Sequence, residues 1–359
     1  MRNRPGTAQD GISLVEVLVA MAIALLVTAL ATVLTIEAQA TWAADSARLD
    51  VQQRSRAAAD LLTRALRDAG GGGPTAGGPL VHAFAPVLPR RIGARDAHAP
   101  EVFRRDAISI VRGAGDADHA VLLTGAPPGT AVLDLAPGPG CTLLPCGLAE
   151  GEHVVLFDRT GRFDLFTVVA LDGAAASVRH HGGGSAAPYP PGSPVLPVHS
   201  GTYYLDPAAR ILRTYDGDRS DLPLVDDVVE MDVEYSGDPR PPLLPKPPAG
   251  DGNCLFGADG SYLAALMPPL AAPAGLAPLP PGILTDGPWC GSGGNRFDAD
   301  LLRVRRIRVR LRLQASSPSV RGTAPGLFRH PGTAGPDAVP DVSVTIDVSP
   351  PNLAFGARE

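Results

Sequence analysis

The sequence predicts an α+β protein: one long N-terminal α-helix packed on a β-rich globular head with long Pro- and Gly-rich loops. Three observations predict it. Neither glycine nor proline occurs between residues 12 and 69. Beyond residue 100, apolar and polar residues alternate with the period of two that is typical of half-buried strands. Glycine (41) and proline (38) exceed a fifth of the 359 residues, which indicates many turns and loops.

The first half of the predicted helix, residues 12–36, is almost entirely apolar. Roughly 20 such residues cross a bilayer core, so this run predicts a membrane-spanning helix. Its single ionisable residue is Glu16. A carboxylate inside hydrocarbon is costly and usually marks function. If the chain were cut between Gly11 and Ile12, the new amino terminus would lie within reach of Glu16 of a neighbouring subunit.

The N-terminal segment resembles the type IV prepilin signal. The matching residues form one run, Gly11-Ile12-Ser13-Leu14-Val15-Glu16-Val17-Leu18, after a short leader with Arg2 and Arg4. Two departures are Ile12, where phenylalanine is most common, and the lack of a proline that interrupts the helix. The resemblance implies that a prepilin peptidase removes residues 1–11, that the new amine of Ile12 is methylated, and that Glu16 pairs with the terminal amine of an adjacent subunit.

Two other interpretations of this segment were weighed. A secretory signal peptide has an apolar core of only about 7–15 residues that ends at a cleavage site, whereas this run continues into helical sequence. A plain single-pass anchor accounts for the length and for the arginines on the cytoplasmic side. It does not account for a glycine directly before the run together with Glu16 at one fixed place in it.

The second half of the helix, residues 37–69, is amphipathic. One apolar stripe has the i, i+3, i+4, i+7 spacing of a buried helix face. Its members are Val51, Ala58, Leu62, Ala65, Leu66 and Ala69. The run from Gly70 to Gly73, followed by Pro74, ends the helix.

The head is predicted over residues 101–359, after a Gly- and Pro-rich loop at 70–100. Short β-type runs predict its strands, namely 107–111, 153–157, 165–169, 203–205, 211–215, 228–235, 303–313 and 342–348. The second and third runs predict one hairpin, and the fourth and fifth predict another across Asp206-Pro207. Residues 236–300 have little periodicity and are interpreted as a long insertion.

Two strands carry opposite charges on one face. Residues 228–235 place acids on one face, and residues 303–313 alternate arginine with apolar residues. The arginine face is expected to be solvated or to meet the acids at 230–234. The net charge of −6 and the lack of aromatic residues among the arginines argue against nucleic-acid binding.

The four cysteines predict two disulfides, because the anchor would place them on an oxidising side of the membrane. Four cysteines allow three pairings. A local bridge between Cys141 and Cys146 and a second between Cys254 and Cys290 are favoured. A structural zinc site is the alternative, but it requires a second closely spaced cysteine pair, which Cys254 and Cys290 do not form.

No catalytic constellation, cofactor site or metal site is predicted, and the chain is not expected to be an enzyme. Residues 181–184 (His-Gly-Gly-Gly) match an esterase oxyanion-hole motif, but no Gly-x-Ser-x-Gly nucleophile follows, so a flexible loop is favoured. Residues 216–221 contain three aspartates that might suggest calcium, but a full calcium-binding loop is lacking. A solvated turn is the better interpretation.

The C-terminal half is similar to the PilW-type minor pilins. The similarity rests on residues 203–205, 212–213 and 224–235, the arginine-rich strand and a closing segment at 350–353. It implies a minor pilin that primes pilus assembly from the bacterial inner membrane, with a periplasmic head and a later place in the fibre or at its tip. Implied partners are other minor pilins, the major pilin, the inner-membrane platform and a tip adhesin.

Two alternatives stay open at this point. A pseudopilin of the J type, from a type II secretion system, has the same N terminus but usually a shorter head. An adhesin or receptor that stays at the membrane uncut would keep its leader.

Overall fold

The computed structural model describes residues 11, 13–73, 78–114, 119–181, 187–272, 275–335 and 338–354. Within these ranges one α-helix precedes sixteen strands and several short 3₁₀ helices. The helix is α1 (Leu14–Arg67). The strands are β1 (Val87–Leu88), β2 (Ala107–Gly113), β3 (Ala120–Leu122), β4 (Val132–Pro137), β5 (His153–Phe157), β6 (Phe163–Asp172), β7 (Ala175–His180), β8 (Pro194–Asp206), β9 (Ile211–Tyr215), β10 (Asp221–Asp226), β11 (Val228–Gly237), β12 (Ala277–Pro278), β13 (Trp289–Cys290), β14 (Phe297–Asp298), β15 (Val304–Leu313) and β16 (Val342–Val348). The 3₁₀ helices are Leu80–His82, Ala264–Leu266, Gly293–Asn295, Ala299–Arg303, Pro318–Val320 and Pro351–Leu353.

The chain divides into two compact units. The N-terminal unit comprises residues 1–51 and 315–340, and the head unit comprises residues 52–314 and 341–359. In the N-terminal unit, the buried Arg321 donates from Nη1 to the carbonyl of His330 at 3.0 Å. All sixteen strands of the described ranges lie in the head unit. The predicted α+β class, with a long helix and a β-rich head, is therefore confirmed.

The amphipathic part of α1 buries the predicted stripe. Ala58, Leu62, Leu66 and Ala69 are fully buried. The helix ends at Arg67, and Gly70 follows with a φ of +70°. A glycine in this left-handed conformation is a common helix cap, because a side chain would be strained there. The predicted end of the helix at the glycine run is confirmed.

Arg54 ties α1 to the strands of the head unit. Its Nη1 donates to Asp227 Oδ2 at 3.1 Å and to the carbonyl of Asp226 at 2.9 Å. Arg210 also pairs with Asp227, at 3.0 Å. The Asp227 carboxylate, mostly buried between two arginines, thus connects the helix to the turn between β10 and β11.

Six strands of the head close into an antiparallel barrel. Neighbours pair in the ring β3-β4-β7-β6-β5-β8, and β8 pairs with β3 to complete it. Val195 of β8 lies opposite Ala120 on one side and Leu156 on the other. Closure leaves no exposed strand edge around the ring. The apolar core cluster of the barrel comprises Ala120, Leu122, Ala126, Leu133, Leu135, Cys146, Leu148, Val154, Leu156, Phe166, Val168, Ala176, Val178, Tyr189 and Val195.

Strand β8 belongs to two sheets. Residues 194–197 pair within the barrel, whereas residues 198–206 pair with β2 and β9 in the open part, β1-β2-β8-β9-β10. Pro197 is the last residue of β8 that pairs with β5. Because proline has no N–H to donate, it suits the point where the strand changes partners.

The other large sheet, β12-β11-β15-β16, contains the two charged strands. Met231 lies opposite Leu311 and Val233 opposite Val309, and all four side chains are buried. On the opposite face, Arg310 donates to Asp232 at 2.9 Å and also contacts Glu234. The expected meeting of the arginine and acid faces is confirmed. These pairs are partly exposed to solvent, so each contributes little to stability.

Several strands lie where the sequence predicted loop. Strands β3, β4, β7 and β10 and the first half of β8 were not predicted, the 70–100 loop contains β1, and the 236–300 insertion contains β12, β13 and β14. Prolines explain two of these cases, because β8 begins at Pro194 and β10 contains Pro223 beside a bulge. Proline in a run weakens a strand prediction, although edges and bulges accept it.

The cysteines form the two favoured disulfides, Cys141–Cys146 and Cys254–Cys290. Their sequence separations are 5 and 36. In the chain-entropy model a longer closed loop restricts the unfolded chain more. The Cys254–Cys290 bridge also joins two positions within the predicted insertion, whose Leu255 and Met267 are buried.

The two bridges are expected to differ in their stabilising effect. Replacing Cys254 and Cys290 together with alanine should lower the free energy of unfolding by about 4 kcal/mol, against about 2 kcal/mol for Cys141 and Cys146, because of the loop lengths. Urea unfolding of the full chain in detergent, followed by tryptophan fluorescence, measures both. The two double variants serve as controls for each other, and the reverse order would contradict the expectation.

A second stability prediction concerns His181, which is 2% exposed. Burial, and then the nearby His153, lower the pKa of His181 to about 4. In the unfolded chain the His181 ring takes up a proton near pH 6.5, whereas in the folded chain it does not. The stabilisation is therefore complete above pH 6.5 and is lost as the pH falls towards 4.

Lowering the pH from 7.5 to 5.0 is expected to reduce the free energy of unfolding by about 2 kcal/mol, because the unfolded chain protonates His181 and the folded chain does not. His181→Gln should lose that part of the pH dependence, while the exposed His330→Gln keeps it. Urea unfolding of the three proteins at both pH values, in a buffer with a chelator, measures the difference. An unchanged pH dependence in His181→Gln would show that another group is responsible.

Candidate functional site: the N-terminal segment

The candidate processing and assembly residues lie at the start of α1. Gly11 is exposed, and no atom lies within 4 Å of the position that a Cβ would occupy there. Glu16 is exposed in the first turn of the helix. Ile12, the predicted residue after the cut, lies outside the described residues. Among the described residues, the surroundings of Gly11 are therefore open to an enzyme.

Ser13 and Glu16 form a capping arrangement. The Val17 N–H donates to the Ser13 carbonyl at 3.2 Å, which places Ser13 at the N-cap of α1. The Ser13 N–H in turn donates to Glu16 Oε2 at 3.4 Å. This is the backbone half of a Ser-x-x-Glu capping box, in which the glutamate satisfies a donor that the helix leaves free. The negative charge also favours the positive end of the helix dipole.

The sequence analysis missed this local role of Glu16. It assigned Glu16 a partner on another subunit, without noting that Ser13 precedes it by three residues. The Ser-x-x-Glu pattern before an apolar run is a recognised signature of a helix start and could have revealed the capping role.

The first half of α1 exposes apolar side chains on every side. Leu14 and Leu25, for example, are 76% and 70% exposed. The hydroxyls of Thr28, Thr32 and Thr35 donate to the carbonyls four residues earlier at 2.7–2.8 Å. Their polar groups are thus satisfied within the helix, as hydrocarbon surroundings require.

By length and composition, α1 is the one helix of the described residues that can cross a membrane. It therefore fits a membrane anchor for the C-terminal β-rich head.

Residues 216–221, the alternative calcium site, form a hydrogen-bonded turn between β9 and β10. Asp216 Oδ1 accepts the N–H groups of Asp218 and Ser220 at 2.8 and 3.1 Å. Asp221 accepts from Arg213 Nε at 2.9 Å and from the Tyr204 hydroxyl at 2.7 Å. These donors engage carboxylate oxygens that a calcium ion would need.

The esterase-like tetrapeptide, for which a flexible loop was favoured, lies mostly outside the described residues. Of residues 181–184, only His181 lies within the described part of the chain, and it is buried. Its neighbours are the strands of the head rather than a nucleophile, as described below.

Every arginine of residues 303–312 has protein partners. Arg303 pairs with Asp300 at 2.5 Å, Arg306 and Arg308 with Asp347 at 2.5 and 2.8 Å, and Arg312 with Asp341 at 2.7 Å. Arg305 donates to the carbonyls of Leu302 and Val304, and Arg310 contacts Asp232 and Glu234. The run of arginines is therefore a set of internal pairs along the sheet.

Comparison with known proteins gives one match. Residues 6–32 match the family model of the prokaryotic N-terminal methylation motif. No curated protein matches the chain. The matched residues include Gly11, Ile12 and Glu16, the three that the sequence analysis selected.

The motif, the apolar helix and the β-rich head together support a type IV pilin-like prepilin. The motif implies processing by a prepilin peptidase and assembly with other pilins. These features support a pilin-like or pseudopilin-like role in the assembly of a pilus or a secretion system.

Proposed function

We propose that this chain is a minor pilin of the PilW type that primes the assembly of type IV pili and has no catalytic activity. The observation that carries the proposal is the combination of the methylation motif at residues 6–32 with a large β-rich head. The order of the aromatic, leucine–arginine and acidic strands in that head is the feature that favours the PilW type over a J-type pseudopilin.

The proposed pathway begins in the inner membrane. Arginines of the leader hold the N terminus in the cytoplasm, and the head lies in the periplasm. The two disulfides suit that oxidising compartment. A prepilin peptidase cuts after Gly11 and methylates the amine of Ile12, and the methylated amine keeps its positive charge.

During assembly, Glu16 then exchanges its partner within the chain, Ser13, for the terminal amine of a neighbouring subunit. Among the described residues of the single chain, the Glu16 carboxylate accepts one long bond, the 3.4 Å bond from Ser13. A neighbouring subunit's terminal amine would supply a full opposite charge in a low-dielectric setting, where removing one partner of an ion pair is strongly destabilising. The pair therefore favours subunits in correct register and disfavours a subunit without a neighbour.

The proposed partners follow from this role. They are the prepilin peptidase, other minor pilins, the major pilin, the inner-membrane platform and a tip adhesin. The surface of the head, rather than the helix, would determine which of these partners the chain binds.

The first test is the mass of the N-terminal peptide of the protein isolated from its own cells. A peptide that begins at Ile12 with one added methyl group is expected. A peptide that still carries Gly11 and the leader would contradict processing and leave an uncut membrane-anchored adhesin or receptor. Co-isolation with pilus subunits, as opposed to subunits of a secretion system, then separates the minor pilin from the J-type pseudopilin.

A further inference from the structure

A compact group of metal-ligating side chains lies in the head, away from the N-terminal segment. It consists of His153 at the start of β5, His181 directly after β7, and Asp218 in the turn between β9 and β10. One nitrogen of each histidine and one oxygen of Asp218 lie within 4.8 Å of one another. The two imidazole rings are 4.5 Å apart, edge to face. Three elements of the head thus bring together three side chains that can bind a transition metal.

The hydrogen bonds of Thr167 determine the tautomer of His181. The Thr167 hydroxyl donates its single proton to Asp218 Oδ2 at 2.9 Å. It lies 2.6 Å from His181 Nε2, so that nitrogen must be the donor in their bond. The neutral ring then carries its lone pair on Nδ1.

Among the described residues this lone pair has no partner. His181 Nδ1 is buried, and none of these residues donates a hydrogen bond to it. Burying a polar atom in this way is unfavourable unless something binds it. Gly217 leaves the approach to Nδ1 open, since a Cβ at that position would lie 3.2 Å from it.

We propose that His153, His181 and Asp218 bind a Zn²⁺ ion that joins the barrel to the open β-sheet of the head. Zinc accepts imidazole and carboxylate ligands at about 2.0–2.2 Å in tetrahedral geometry, which requires the donor atoms to approach to about 3.4 Å. Asp216 Oδ2, 3.9 Å from His153 Nε2, is the nearest additional carboxylate for the fourth position.

Arg179 is the competing partner in this arrangement. Its side chain contacts both oxygens of Asp218, and it is about one-third exposed. Zinc binding would draw Asp218 away from Arg179, whose side chain can turn towards solvent. Removing the positive charge should therefore favour the ion.

The test uses the full chain in detergent, with its disulfides formed and without a histidine tag. After dialysis against micromolar Zn²⁺, elemental analysis should find one zinc per chain, and the melting temperature should rise by several degrees, since a ligand that binds only the folded state stabilises it. His153→Gln changes a ligand whose side chain is 18% exposed, and it is expected to weaken binding at least tenfold. The exposed His330→Gln is the matched control and should bind like the wild type.

Measurements on Arg179→Gln and on His153→Gln keep the proposal falsifiable if the buried variant His181→Gln fails to fold. Arg179→Gln should bind zinc several-fold more tightly, and weaker binding would contradict Asp218 as a ligand. Wild-type protein that retains no zinc, or His153→Gln that binds as the wild type does, would overturn the site.

Discussion

Glu16→Gln is expected to reduce incorporation of this chain into filaments at least tenfold, while folding and cleavage continue. The substitution removes the charge that would pair with the terminal amine of an adjacent subunit. Losing one member of an ion pair in low-dielectric surroundings costs about 3–5 kcal/mol, far more than a tenfold effect requires. The measurement is the amount of the chain in sheared filaments, or bound to other pilins in solubilised membranes, relative to its total amount in cells.

The choice of glutamine separates two roles of Glu16. A glutamine at this position of a capping box can still accept the Ser13 N–H, whereas Glu16→Ala cannot. If the ion pair matters, both variants fail equally. Assembly that survives in Glu16→Gln and fails only in Glu16→Ala would assign the effect to the helix cap instead. Glu37→Gln, which removes another exposed carboxylate of α1, is the matched control and should assemble normally.

Gly11→Val is expected to block removal of the leader almost completely. The chain itself accommodates a side chain at this position, because nothing lies within 4 Å of it. Any requirement for glycine must therefore come from the peptidase, whose active site has to approach the backbone closely. The leader would stay attached, and the amine that Glu16 needs would not form.

Mass spectrometry of the N-terminal peptide measures this effect directly. Gly6→Val, within the same leader, is the control for a bulky residue that is not at the cut. A Gly11→Val protein that still begins at Ile12 would show that the cleavage site lies elsewhere or tolerates side chains.

The helix and the charged strands could be predicted because their signals are local. The lack of glycine and proline from residue 12 to residue 69, an apolar stripe and a terminal glycine run predict α1 to within two residues at each end. The alternation of β11 and β15 predicts both strands and their opposite faces, since a period of two assigns each side chain to one face. Their pairing follows from complementary charge, as Arg310 with Asp232 and Glu234 illustrates.

The barrel could not be predicted in the same way. Its strands β3, β4 and β7 are short, and their pairing joins segments that are far apart in the chain. Strand β8 changes sheets at Pro197, a residue whose local preference argues against a strand. The burial of both faces and the pairing on both edges outweigh that preference, and neither is visible in the sequence.

The same difference between local and long-range signals separates the N-terminal site from the histidine cluster. Gly11, Ile12 and Glu16 lie within six residues, so the resemblance of this segment to a prepilin signal is visible in the sequence. His153, His181 and Asp218 are up to 65 positions apart, and only the folding of the barrel against the β9–β10 turn brings their ligand atoms within 4.8 Å. Short-range spacing determines motifs and helices, whereas long-range strand pairing determines which distant side chains meet.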